Sequence, residues 1–447
     1  MAEIAPFRGL RYNKEKVPDL AEVVIPPYDV ISPKEQEAYH QMCPYNMVRL
    51  ELGKSTPEDS EQDNPHTRAA RYFQDWQREK VIVRDDDPCM YYYELHYSLT
   101  PQVRKTRYGF VCALRLEDFS SGFVRPHEKT FQAVKDERLQ LMFACQANLS
   151  PVFALYADPD EFVDRALRAG RDGDPVASFK DHQGMEHRLW RVRDLEILRR
   201  VRDLMRDKPL FIADGHHRYE TALNYRDIQR QRCKNASPRA SFEYIMVYLS
   251  NLNQEGLTIL PTHRLLRSLD SLDLESFLEK ARVYFDVSRF EQTASGENQW
   301  RAGLEAGASR KDTVIGFHAR RVEGFFLMKA KRDAVSSYLS SIRIPEVLQT
   351  LDVVVLDQVL LKKILGLSES FLANADNIHF SHDFSKTVQE VKEGNYEAGF
   401  LINATRIEQV QDVATSGLIM PHKSTYFYPK VGSGMVIHAL STEEEGI

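Results

Sequence analysis

The sequence is poor in several things that would have fixed its class at once. Its five cysteines (Cys43, Cys89, Cys112, Cys145 and Cys233) are scattered and odd in number, and no C-x-x-C pair occurs. That argues against a disulfide framework and a zinc ribbon. No uncharged apolar run approaches the roughly 20 residues a bilayer-spanning helix needs. "MAEIAPFRGL" lacks the basic-then-apolar pattern of a signal peptide. Together these features set the expectation of a cytoplasmic chain with no membrane partner. There is no excess of positive charge either. The net charge is −6, which weighs against nucleic acid as a partner. Familiar nucleotide and hydrolase signatures are missing too: no G-x-x-x-x-G-K-[ST] loop, no G-x-G-x-x-G fingerprint and no G-x-S-x-G elbow. "VGSGMV" at 431–436 has its glycines too deep in a strand pattern to serve as one.

What is present is an alternation of strand and helix patterns over 447 residues, too long for one comfortable core. "CMYYYELHYSL" and "RYGFVCALRLEDF" read as paired strands across a turn at Pro101 and Gln102. "PLFIA" reads as a strand, "DGHH" as a turn and "RYETALNYRDIQRQ" as a helix. A helix is expected around 352–366 and a strand pair at the C-terminal end. This alternation predicts an α/β class with mixed sheets and helices. The expected division is 1–110, an N-terminal α/β region; 111–265, a core holding the DGHH turn; 266–332, a small α+β module; and 333–447, a C-terminal α/β region.

The stretch with most chemistry is "FIADGHHRYETAL", residues 211–223. A strand, a glycine turn and a helix start make an anion site, because first-turn N–H groups have no intrahelical acceptor and the dipole is positive there. Asp214 is placed to cap the helix. Gly215 leaves room for a ligand. Arg218 offers a planar fork for phosphate oxygens, and His216 and His217 can donate to phosphate or move protons. Tyr219, Ala222 and Leu223, spaced i, i+3, i+4, read as the helix's buried face. Adjacent histidines point about 100° apart on a helix, so a shared metal is disfavoured.

Four other stretches share this polar-tipped form: "IPPYDVIS" (25–32), "RPHEKT" (125–130), "PTHR" (261–264) and "MPHKSTYFYPK" (420–430). If they converge, Glu128, Lys129, Thr130, Asp214, His216, His217, Arg218, His263, Arg264, Lys423, Ser424 and Lys430 form a cation-rich pocket with a few carboxylates. Such a pocket suits a polyanion with Mg²⁺, as in phosphoryl transfer.

Taken in order from residue 26 to 434, "PPYDVIS", "NMVRLELGK", "RPHEKT", "ANLSPVFALYAD", "IADGHHRYETAL", "ILPTHRLL" and "MPHKSTYFYPKVGSG" resemble the bacterial and archaeal family called domain of unknown function 1015. "DGHHR" further resembles the phosphate-binding loop of the ParB/sulfiredoxin group and its free-serine kinases. Sulfiredoxins carry a catalytic cysteine where His216 stands, so their reaction is not implied. The resemblance implies a ParB/sulfiredoxin-like core and a small-molecule kinase. Its substrates would be ATP or ADP and a small hydroxyl acceptor, with free L-serine preferred, and Mg²⁺ would assist.

On this reading backbone N–H groups at Gly215–His217, with Arg218, hold phosphates, with Lys129, Thr130, His263, Arg264, Lys423 and Ser424 as further nucleotide contacts. Glu128 accepts the hydroxyl proton or holds Mg²⁺, Asp214 is the other metal contact, and His216 or His217 stabilises charge in transfer. The rival expectations are a non-catalytic nucleotide-binding regulator and a metal-dependent hydrolase using Asp214 with a histidine. A homo-oligomer is left open.

Overall fold

The computed structural model describes residues 2–128, 130–269, 272–421 and 423–441. Lys129, named above among the nucleotide contacts, lies outside the described residues. The chain folds into two compact units. One comprises Met1–Pro126, Thr130–Thr258 and Pro429–Ile447; the other comprises His127–Lys129 and Ile259–Tyr428. Both are sheets with helices, and the mixed α/β class expected from the sequence is the class observed. Among the described residues no helix is long and apolar enough to cross a membrane.

The first unit is built on a nine-stranded mixed sheet. Its order runs Val124–Arg125, Leu210–Asp214, Val152–Tyr156, Tyr244–Asn251, Val103–Arg115, Met90–Thr100, Glu186–Val192 and Ala177–Lys180, with Ile4–Ala5 also paired to Val103–Arg115. The two long central strands are the expected hairpin, antiparallel with Tyr93 opposite Gly109. Tyr244–Asn251 is buried along its whole length, as a near-continuous apolar run in a central strand should be. Helices Gln132–Cys145 and His216–Arg232 belong to this unit. Tyr219 and Ala222 of the second helix join the sheet's core, so the buried face read from i, i+3 spacing is correct.

The second unit holds a six-stranded antiparallel sheet in the order Phe285–Phe290, Phe325–Ala330, Val314–Ala319, Ala398–Leu401, His263–Leu266 and Ile378–Ser381. Trp300 packs into its core, stacked on Phe325 at 4.7 Å, and its indole N–H donates to the Phe326 carbonyl. Strands before, within and after residues 266–332 thus share one sheet.

Three local expectations are corrected. The helix expected around 352–366 is a short α-turn, Asp352–Val355, that runs into a π-helical segment, Leu356–Ile364. Among the described residues the two expected C-terminal strands do not pair with each other. Tyr426–Tyr428 pairs with Thr258–Leu260, and His438–Ala439 pairs with Ala147–Asn148. The "DGHH" turn is shorter than expected, since the helix already begins at His216.

Candidate functional site

The strand Leu210–Asp214 ends at the Asp-Gly step. Gly215 takes φ +91°, a left-handed conformation that costs a side-chain-bearing residue about 1–2 kcal/mol. That turn starts the helix at once, and Gly215, not Asp214, is its N-cap residue. The expectation that Asp214 caps the helix is therefore wrong. Its carboxylate instead takes hydrogen bonds from two cations. Arg218 Nη2 donates to Oδ2 at 2.7 Å, and the Lys430 ammonium donates to Oδ1. Arg218 Nη1 also donates to the Pro151 carbonyl.

The Arg218 guanidinium lies back over the glycine. A Cβ at position 215 would meet its Nε at 2.9 Å and its Cζ at 3.0 Å. Glycine is thus required twice here, by backbone angle and by the closeness of the guanidinium.

The electrostatics follow from this geometry. Burial opposes ionisation of Asp214, but the nearby Lys430, Arg218 and His216 outweigh it and hold the carboxyl below its ordinary range. Two cations share this one carboxylate at a helix N-terminus. Both carboxylate oxygens are occupied by cationic donors. Asp214 acts here as their counterion.

The two histidines differ. His216 is buried. His217 accepts the Phe131 backbone N–H on Nε2 at 2.9 Å, which places the neutral ring's proton on Nδ1, and its ring stacks on Phe131. Glu220, one turn further on, accepts from the Thr130 hydroxyl at 2.8 Å and from Lys135 at 2.7 Å. Thr130, the last residue of "RPHEKT", and Phe131 just after it are therefore tied to the helix that begins at His216. Sequence reading named Thr130 but not Glu220, which is its partner. Arg107 was missed as well. Fully buried, it donates to the Pro429 carbonyl at 2.5 Å, one residue before Lys430, while its guanidinium faces the Phe153 ring at 4.8 Å. Nothing in "KTRYGF" marks that residue, because an arginine in an alternating strand normally faces water.

The remaining candidates lie in the second unit. Glu128 Oε1 accepts the Lys423 backbone N–H at 2.9 Å. His127 Nε2 lies 3.0 Å from the Thr425 hydroxyl, and its carbonyl accepts from Met420 N. Ser424 Oγ donates to the Pro421 carbonyl, and Lys423 sits in the left-handed region at φ +57°. So His127 and Glu128 of "RPHEKT" meet Met420, Lys423 and Thr425 of "MPHKSTYFYPK" within this unit.

His263 and Arg264 belong to a sheet strand. His263 Nδ1 accepts from Ile402 N at 3.3 Å, and burial drives its pKa down to about 3. Arg264 lies over the Phe380 ring at 5.0 Å and donates to the Thr262 carbonyl. Burial lowers its pKa against the pull of Asp357. Among the described residues no group of three or more His, Cys, Asp or Glu side chains could hold a metal ion.

A family model described as "Protein of unknown function (DUF1015)" matches residues 4–354. The chain belongs to the DUF1015 family. Comparison of this DUF1015 chain with curated proteins returns no match. Among solved structures it is similar to a mutant free serine kinase in complex with AMP, with 11% identity and a TM-score of 0.34, covering 72% of this chain and 91% of that one. It is also similar to a conserved hypothetical protein from Pyrococcus furiosus (12% identity, TM-score 0.32, covering 71% and 92%). A third is SbnI from Staphylococcus aureus with a C-terminal truncation (8% identity, TM-score 0.32, covering 71% and 84%). At these scores the likeness is loose.

Proposed function

We propose that this DUF1015 protein is a small-molecule kinase. It would move the terminal phosphate of ATP or ADP to a hydroxyl group, with free L-serine the preferred acceptor. The observation that carries this reading is the Lys430–Asp214–Arg218 cluster at the start of a 17-residue helix, reached through a left-handed glycine over which the Arg218 guanidinium lies. A site with two cations, one carboxylate and a helix dipole favours a polyanion over a neutral ligand. The free-serine-kinase resemblance of "DGHHR" supplies the reaction class.

In this proposal backbone N–H groups at Gly215–His217 take phosphate oxygens, and the Lys430 ammonium and Arg218 guanidinium neutralise developing charge. Arg218 also holds the turn, because two of its five N–H donors go to Asp214 and the Pro151 carbonyl. His216 stabilises the transferring group. Glu128, two residues before Thr130, is the proposed acceptor of the hydroxyl proton and the first candidate contact for Mg²⁺. Lys129, Thr130, Lys423 and Ser424 are further proposed phosphate contacts. His263 and Arg264 are proposed as support for the second unit's sheet, since their bonds go to that sheet.

The test is product formation. Purified protein is incubated with Mg²⁺, ATP or ADP, and a panel of amino acids and small alcohols, and products are read by mass spectrometry. O-phosphoserine that requires both protein and serine is the expected result, with none from Arg218→Ala. Nucleotide binding without turnover on any acceptor would replace the kinase reading with that of a regulator.

A further inference from the structure

Behind Arg218, within the first unit, lies a small cavity of about 40 Å³ whose wall also includes Glu51, Arg138, Ser150 and Thr221. One water needs about 10–15 Å³, so this space admits a group of a few atoms and not a whole ligand. Two polar atoms on its lining residues are buried without a hydrogen-bond partner: Glu51 Oε1 and Thr221 Oγ1. Glu51 is 2% exposed and Thr221 is fully buried. An unpartnered carboxylate oxygen in a protein interior is costly, and native structures fill such vacancies with a water, an ion or a ligand group.

Both guanidinium groups on this wall already have carboxylate partners, Arg138 in Glu137 and Arg218 in Asp214, so the acceptor left over, Glu51 Oε1, favours a donor that carries positive charge. Arg138 donates to the Glu51 carbonyl at 2.9 Å and to Glu51 Oε2 at 3.3 Å, and it forms a close pair with Glu137. Glu137, outside the cavity, thus matches this guanidinium, and Glu51 keeps its second oxygen uncommitted. Arg218, the other cation on the wall, is already bonded to Asp214 and the Pro151 carbonyl. A primary ammonium supplies three N–H donors at about the size of this space. Glu51 Oε1 and Thr221 Oγ1 would take two of them, and Ser150 lines the same space for the third.

We infer that this cavity receives the protonated amino group of the acceptor substrate, so that the enzyme selects hydroxyl compounds bearing a primary ammonium. The inference rests on the kinase reading and deepens it. The placement is consistent in chemistry: Thr221 is on the same helix as Arg218, which lines the cavity and donates to Asp214.

The test uses the full chain, saturated with AMP so that no phosphate can be transferred, and titrated by calorimetry. The two probes are L-serine and 3-hydroxypropionate, which keeps the carboxylate and hydroxyl but lacks the amino group. The wild type should bind L-serine at least about tenfold more tightly. Thr221→Val and Glu51→Gln should bring the two ligands within about twofold, with AMP affinity unchanged. Thr221→Val keeps the shape of the side chain and removes a hydroxyl without a partner, so it should fold even if Glu51→Gln does not. Equal affinity for the two probes in the wild type, a serine preference that survives both substitutions, or no serine binding at all overturns the inference. A serine preference that persists where AMP fails to bind keeps the ammonium site and overturns the kinase reading alone.

Discussion

Two stretches of this protein look alike on paper and differ in space. "DGHHR" and "PTHR" each place a His-Arg step after a short apolar run. In the first, a left-handed glycine ends the strand and the step falls in the first turn of a helix, where Arg218 reaches a carboxylate and a carbonyl. In the second, the strand has already begun, so His263 and Arg264 point to opposite faces of a sheet and are buried there. One arginine is matched by Asp214; burial makes the charge of the other costly. The difference teaches that the glycine, more than the His-Arg letters, decides whether such a step can serve a ligand.

The comparison breaks most visibly at Asp214. Asp214→Ala leaves Lys430 and Arg218 buried without their carboxylate, and should cost about 3–5 kcal/mol in denaturant unfolding. An effect under about 1 kcal/mol would mean the cluster is not a buried charge network.

Acid should expose the other side of the comparison. The folded pKa of His263 is about 3, against 6.5 for a free imidazole. Between those values the unfolded chain holds a proton that the folded chain does not, so stability is full above pH 6.5 and falls as the pH drops toward 3. The contribution is about 1.4 kcal/mol per pH unit in that window. In urea titrations at pH 7 and pH 5, His263→Leu should lose about 2 kcal/mol less than the wild type on acidification. Equal losses would show that His263 is charged in the fold.

Gly215→Ala should cost about 1–2 kcal/mol from the left-handed backbone alone, and should also displace Arg218. A thermal scan with and without ADP would show both the lower midpoint and the lost nucleotide shift. Arg264→Met sharpens the contrast with the smallest effect. The carboxyl of Asp357, which burial already pushes up, can take a proton once the guanidinium is gone, so stability should stay within about 1 kcal/mol.

Much of the fold was legible because periodicity reports burial. The Tyr-rich hairpin, the "PLFIA" strand and the helix after "DGHH" all follow from which residues must face a core. What was not legible depends on distant partners. Asp214 as a helix cap was the local reading. Its true bonds go to Lys430, 216 positions away in the chain, and no spacing rule encodes that. Glu220 and Arg107 were invisible for the same reason, since an acid on a helix and an arginine in a strand read as solvent-facing. The π-helical segment after Val355 was missed because its apolar pattern over two turns matches that of an α-helix.

The central claim is that the "DGHHR" turn, and not the "PTHR" strand, binds nucleotide phosphate. ADP titration by calorimetry on the wild type, Arg218→Ala and Arg264→Met tests it directly. The account predicts binding by the wild type and by Arg264→Met with matching affinity. It predicts at least a hundredfold weaker binding by Arg218→Ala, about 2.7 kcal/mol. Undiminished binding by Arg218→Ala would contradict it.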